Sequence, residues 1–184
     1  MANNSNSAPS AHEYPRPLPG ASVRISAELV IAIAAPRAIA QLHGWDQSHL
    51  GQPSPPNGTV EAANHRLLWN GPDSWLAVSE TLSPAELVEA LRPTDSASTA
   101  TVTDISHGKA VLRVSGAAAA DLIATGTPID IQSARPGDSM ASLHGPYQIH
   151  LHVVGADVFD LYVASSYAES FWNAILHAAE EFRA

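Results

Sequence analysis

Two small groups of residues have the types and spacing to do chemistry. His150 and His152 stand one residue apart. Alternate side chains on a strand share a face, so both imidazoles could reach one metal ion. Ile149, Leu151 and Val153 take the other face and are read as core, which leaves the histidines on a surface or an interface. Spacing suggests no third ligand, and the reading without a metal is preferred. The second group is Asp104, Ser106 and His107, which could supply an orienting acid, a nucleophile and a base. Adjacent strand residues point opposite ways, so Ser106 and His107 would not easily share a hydrogen bond. No G-x-S-x-G elbow is present. A strand end that turns at Gly108 is the simpler reading. Phosphate-cradling G-x-G-x-x-G and G-x-x-x-x-G-K-[ST] loops are absent as well. Trp172 is expected in the core. Trp69 and Trp75 flank a turn and are expected in the core too, with interface anchoring as the alternative. Glu180 and Glu181 fit a solvated helix end. No catalytic, cofactor-binding or metal-ligating residue is therefore assigned.

The elements that would position these residues follow from pattern. Val23 to Ala34 is apolar and partly β-branched, which predicts a strand. Pro36 suits the first turn of a short helix ending near Gly44. Residues 51–58 read as a loop. His65 to Trp69 and Trp75 to Ser79 are expected strands around the turn Asn70-Gly71-Pro72-Asp73. Ser83, Pro84 and Glu86 make an N-cap, an N1 proline and a capping box. Leu82 and Leu87 can form a hydrophobic staple, and Leu87 with Leu91 gives the helix a buried stripe. The same plan returns later: strands at 146–154 and 158–163, a second capping box at Ser166 and Glu169, then Phe171, Ile175, Ala178 and Phe182 at helical spacing. Between the copies lie strands at 99–105 and 109–115 and a helix from Ala117 to Ala124. The expected class is α+β, with antiparallel-rich sheets and packed helices.

Composition narrows the functions. The formal charge is −9, and Lys109 is the single lysine among thinly spread arginines. A nucleic-acid binder needs a clustered basic patch, and none is seen, so nucleic acid and anionic membrane surfaces are excluded as partners. With no cysteine there are no disulfides, thiolate zinc sites or cysteine nucleophiles. Residues 1–20 hold four prolines and few groups to bury, so they are expected to be a disordered arm, followed by one domain over 21–184. That arm lacks the basic and apolar regions of a signal peptide, and a cytoplasmic location is expected.

Trp69-Asn70-Gly71-Pro72-Asp73-Ser74-Trp75-Leu76 resembles the W-x-G-P-D-x-W-L turn of the γ subunit of heterotetrameric sarcosine oxidase. Residues 103–116, from Thr103-Asp104-Ile105-Ser106-His107-Gly108-Lys109 to Gly116, are similar to that family's T-D-x-S-H-G-[RK]-x-x-L-R-[VL]-x-G stretch. Asp121 to Ala124 and Pro128 to Ile131 match its continuation, and Gly155 to Ala184 its closing hairpin and helix. The resemblance spans roughly residues 25–184. Ala117 replaces the proline usual after the glycine, and the loop around 44–60 is short.

The resemblance implies a fold like the folate-binding domain of glycine-cleavage T-protein. It implies a non-catalytic subunit of an assembly that oxidises sarcosine to glycine with tetrahydrofolate and oxygen. Such an assembly gives methylene-tetrahydrofolate or formaldehyde, and hydrogen peroxide. The partners implied are the α, β and δ subunits. FAD, FMN, NAD, tetrahydrofolate and zinc are implied on those partners and not on this chain. The alternative is a free-standing folate-binding module, for which Asp104 would be the acidic pterin contact.

Overall fold

The computed structural model describes residues 20–35, 37–44, 56–93 and 100–183. The expected disordered arm falls almost wholly outside these residues. Eleven strands in the described part form two antiparallel sheets. One sheet holds six strands: β1 (Ser22–Ser26), β2 (Leu29–Ile33), β8 (Lys109–Ser115), β11 (Val158–Ala164), β10 (Tyr147–Gly155) and β9 (Ser139–His144), in that spatial order. The other holds β4 (Thr59–Glu61), β5 (Arg66–Gly71), β6 (Ser74–Ser79), β3 (Ala38–His43) and β7 (Thr101–Asp104). The helices are α1 (Pro84–Ala90), α2 (Ala119–Ala124) and α3 (Ala168–Ala178).

The layers are helix, sheet, sheet, helix. Leu112, Ile149, Leu151, Phe159 and Leu161 on the outer face of the six-stranded sheet pack against Leu122, Phe171, Trp172 and Ile175 of α2 and α3. On the outer face of the other sheet, Ala40, Leu42, Leu67 and Trp75 pack against Leu87 and Leu91 from α1 and its end. Between the sheets, Ile39, Leu68, Leu76 and Val78 meet Val111 and Tyr162. A strand covered on both faces is apolar throughout rather than alternating, which is why every residue of β6 is buried.

The repeated strand–turn–strand–helix plan is present, and it goes further than the sequence pattern. β4-β5-β6-β3 in one sheet has the same neighbour order as β9-β10-β11-β8 in the other. Each sheet is then extended from the other half of the chain, the six-stranded one by the hairpin β1–β2 and the five-stranded one by β7. β2 pairs with β8, and β7 pairs with β3. The chain therefore crosses between sheets twice, at 34–37 and at 105–108. Ala34 N–H donates to Val111 carbonyl at 2.9 Å, and Ile105 N–H to Ile39 carbonyl at 2.9 Å, so the first crossover is tied to the six-stranded sheet and the second to the five-stranded one.

Most local expectations hold. Glu86 N–H donates to Ser83 Oγ and Ser83 N–H to Glu86 Oε2, closing the capping box of α1. The turn between β5 and β6 places Gly71 at φ +136° and Asp73 at φ +52°. Trp75 and Trp172 are buried, and Trp69 is partly buried against the same cluster as Trp75.

Several expectations are corrected. Val23 to Ala34 is not one strand but the hairpin β1–β2, which turns at Ala27 and Glu28. The predicted helix after Pro36 is the strand β3; Pro36 itself lies outside the described residues. Alanines favour helix locally, but a site between β6 and β7 offers ladder hydrogen bonds and burial on both faces, and tertiary context wins. The second capping box does not form, because Ser165–Tyr167 is a 3₁₀ turn and Tyr167 occupies the N-cap without a side-chain bond. β4 and β9 were not expected at all.

Candidate functional site

The polar residues with chemical potential gather between the two sheets. His150 and His152 do share a face of β10, but it is the inner face, and both are 3% exposed. The surface or interface position expected of them is thus corrected: a second sheet of the same chain covers that side. Ser139 Oγ lies 2.7 Å from His150 Nε2, and Asn70 Oδ1 lies 3.1 Å from Nδ1. The carbonyl oxygen of Asn70 can only accept, so Nδ1 carries the proton and Ser139 donates to Nε2. Asn70 Nδ2 in turn donates to Ser74 Oγ, as does Gln41 Nε2. Burial, with Lys109 and His152 nearby, pushes His150 down to about 3. Burial also lowers His152, to about 4; Asp160 opposes the shift, and Arg66, Arg37 and Arg113 add to it. Both imidazoles are neutral at pH 7. His152 Nδ1 is buried without a hydrogen-bond partner. Among the described residues, no three His, Cys, Asp or Glu side chains come together as metal ligands.

Beside the histidines lies an ion network that the sequence reading missed. Asp160 is fully buried on β11. Arg113 on β8 grips it with two bonds, Nε to Oδ1 at 2.7 Å and Nη2 to Oδ2 at 2.8 Å. Arg37 in the first crossover adds Nη1 to Oδ2 at 2.7 Å and reaches Tyr162 Oη at 3.2 Å. Its Nη2 lies 3.1 Å from Glu80 Oε1. Burial alone would raise the Asp160 carboxyl. The hydrogen bond from Arg113 and the charges of both arginines outweigh burial and hold it below the ordinary value. Burial and the Asp160 charge push Tyr162 up to about 12. A carboxylate engaged by two guanidinium groups has little basicity left to spend on substrate. The arrangement braces rather than reacts: it ties the crossover segment and β11 into one rigid layer. The sequence signal was present in Val158-Phe-Asp-Leu-Tyr-Val-Ala164. An acid in the middle of an otherwise apolar strand must find a paired base.

The second candidate group is resolved at the other crossover. Asp104 closes β7 and is exposed. It accepts from Ser106 N–H at 2.9 Å and from Ser106 Oγ at 2.6 Å. Those bonds hold its carboxyl below the usual range. Ser106 Oγ also accepts from Ile39 N–H at 3.0 Å. His107 makes no bond to Ser106. The Ser106–Gly108 segment is a 3₁₀ turn locked to β3, in keeping with the strand-end reading.

The profile described as the sarcosine oxidase, gamma subunit family matches residues 34–181. Among solved structures, one similar chain comes from the heterotetrameric sarcosine oxidase of Corynebacterium sp. U-96 in complex with pyrrole 2-carboxylate. It is 20% identical with a TM-score of 0.77, over 87% of this chain and 89% of that one. A second similar chain is the glycine cleavage system aminomethyltransferase T of Bartonella henselae. It is 11% identical with a TM-score of 0.62, over 83% of this chain but only 46% of that one. No curated protein matches the chain. The likeness to the aminomethyltransferase agrees with the α+β class expected from the sequence.

Proposed function

The chain belongs to the sarcosine oxidase gamma-subunit family, and from that premise we propose that it is a structural subunit of a heterotetrameric, flavin-dependent sarcosine oxidase. The observation that carries this reading is the family match over residues 34–181, joined to the fold shared with a chain of such an enzyme. The assembly would convert sarcosine and oxygen to glycine and hydrogen peroxide. The methyl carbon would pass to tetrahydrofolate or leave as formaldehyde. Partner α, β and δ chains would hold FAD, FMN, NAD, tetrahydrofolate and zinc, and this chain would supply no catalytic residue. Supporting that division of labour, Asp160, His150 and Asp104 each spend their polar atoms on neighbours within the fold. No helix among the described residues is long and apolar enough to cross a membrane, which suits a cytoplasmic assembly.

Co-expression with the neighbouring genes tests the proposal. A tag on this chain should bring down an equimolar, yellow complex that oxidises sarcosine. A colourless chain that purifies alone and ignores flavin-bearing partners refutes it. The alternative of a free-standing folate module draws on the fold alone, and Asp104, its one acidic candidate, is already engaged by Ser106. Titration with tetrahydrofolate distinguishes the two, since the subunit reading expects no binding at millimolar ligand.

A further inference from the structure

The two crossovers run side by side and enclose an open cavity of about 220 Å³. Its wall carries Arg37 from the first crossover, His107 from the second, and Lys109 at the start of β8. Ile33, Ala34, Ile39, Ala110 and Val111 add apolar surface, and Ser106 adds a hydroxyl. Lys109 is partly buried, and burial pulls its ammonium below the ordinary value. Among the described residues, no carboxylate lies within ion-pair distance of it. Arg37, by contrast, is balanced by Asp160 and Glu80, and Arg113 by Asp160. Asp104, on the turn that carries His107, is bonded to Ser106 and makes no ion pair with Lys109, so among the described residues Lys109 is the cation of this wall without a paired carboxylate. A half-desolvated cation with no counter-charge is costly unless an anion joins it.

We propose that this cavity binds a carboxylate group, with Lys109 meeting the charge and the alanine–valine wall holding a short apolar stem. The apolar wall favours an organic carboxylate over chloride or phosphate, whose whole surface seeks water. The cavity is well below the usual size of drug-like sites, so the stem is short. The turn that presents His107 and Lys109 is fixed beforehand by the Asp104–Ser106–Ile39 bonds, so little ordering is needed on binding. The carboxylate could arrive on a free short-chain acid, or on an aspartate, glutamate or chain end of a partner subunit. The second source rests on the subunit reading above, and the first does not.

Two arms separate these sources. In the first, the full chain is titrated with sodium propionate at constant ionic strength, and the backbone amides of 106–111 are followed by NMR. A saturable shift in the millimolar range is expected. Lys109→Met, which keeps the stem and removes the charge, should weaken it at least tenfold. Lys109→Arg, which keeps a charge, should stay within about threefold, and equal phosphate should cause no such shift. In the second arm the co-purified assembly is treated with a water-soluble carbodiimide, which joins amines only to carboxylates in contact. Because Lys109 is the single lysine, an amide between Lys109 and a partner's acidic residue is directly identifiable by mass spectrometry. Propionate binding without a crosslink assigns a free acid. A crosslink assigns a partner carboxylate. Propionate binding unchanged in Lys109→Met overturns the proposal, as does the absence of both signals. If no complex forms, the subunit reading fails, and the propionate arm alone decides this one.

Discussion

Lowering the pH should unfold this protein through the two histidines between its sheets. His150 is held near 3 and His152 near 4, while an unfolded histidine titrates near 6.5. Well above pH 6.5 neither state is protonated at these sites, and full stability is present. As pH falls below 6.5 the unfolded chain takes up protons that the folded chain refuses, so stability is lost. The loss continues down to the folded values near 3 and 4. At pH 5 the unfolded imidazoles are about 1.5 units below their titration point, which costs roughly 2 kcal/mol per residue and roughly 4 kcal/mol for the pair. His65 and His144, also held low by burial, act in the same direction. Urea unfolding of the dilute full chain, followed by the fluorescence of buried Trp75 and Trp172, measures this. With an m-value of about 2 kcal/mol/M, the midpoint should fall by roughly 2 M between pH 7 and pH 5. His152→Leu should flatten the profile by about one proton. A midpoint that moves by less than about 0.3 M would refute the argument, because it would mean that water or a rearranged sheet contact lets these histidines protonate in place.

Asp160→Ala should leave two arginines facing an empty buried site and cost about 3–5 kcal/mol, seen as a lower urea midpoint at pH 7. Gly116→Ala should destabilise by at least 1–3 kcal/mol, because φ is +113° there and an added Cβ would sit 2.1 Å from Glu28 carbonyl oxygen; thermal unfolding is a sufficient check. Ser83→Ala should cost about 1 kcal/mol through loss of the α1 cap, while Leu87→Ala should cost 2–5 kcal/mol through the cavity it leaves under that helix.

The elements whose signals are local were legible in the sequence. The Trp69–Trp75 turn depends on glycine, proline and aspartate at set positions, and the α1 start on a capping box whose two bonds lie within four residues. The β10–β11 hairpin and α3 were plain from strand alternation and helical spacing, which act over short spans of chain, although the capping box expected at Ser166 and Glu169 does not form. What only the tertiary structure decided were the features made by distant segments. β3 is a strand because β6 and β7 flank it, although its own alanines favour helix. The exchange of β2 and β7 between sheets has no local sequence mark at all. His150 and His152 show the same division. Their shared face followed from strand alternation, but that face is interior because a second sheet covers it, and covering requires distant segments such as that of Asn70, 80 positions from His150. Asp160 could be recognised in the sequence as an acid in need of a base. That the bases are Arg113, 47 residues earlier, and Arg37, 123 residues earlier, was decided by the sheet order and the first crossover. Charge pairing is a matter of ångströms in space, and the chain fixes those separations only once both sheets have closed on one another.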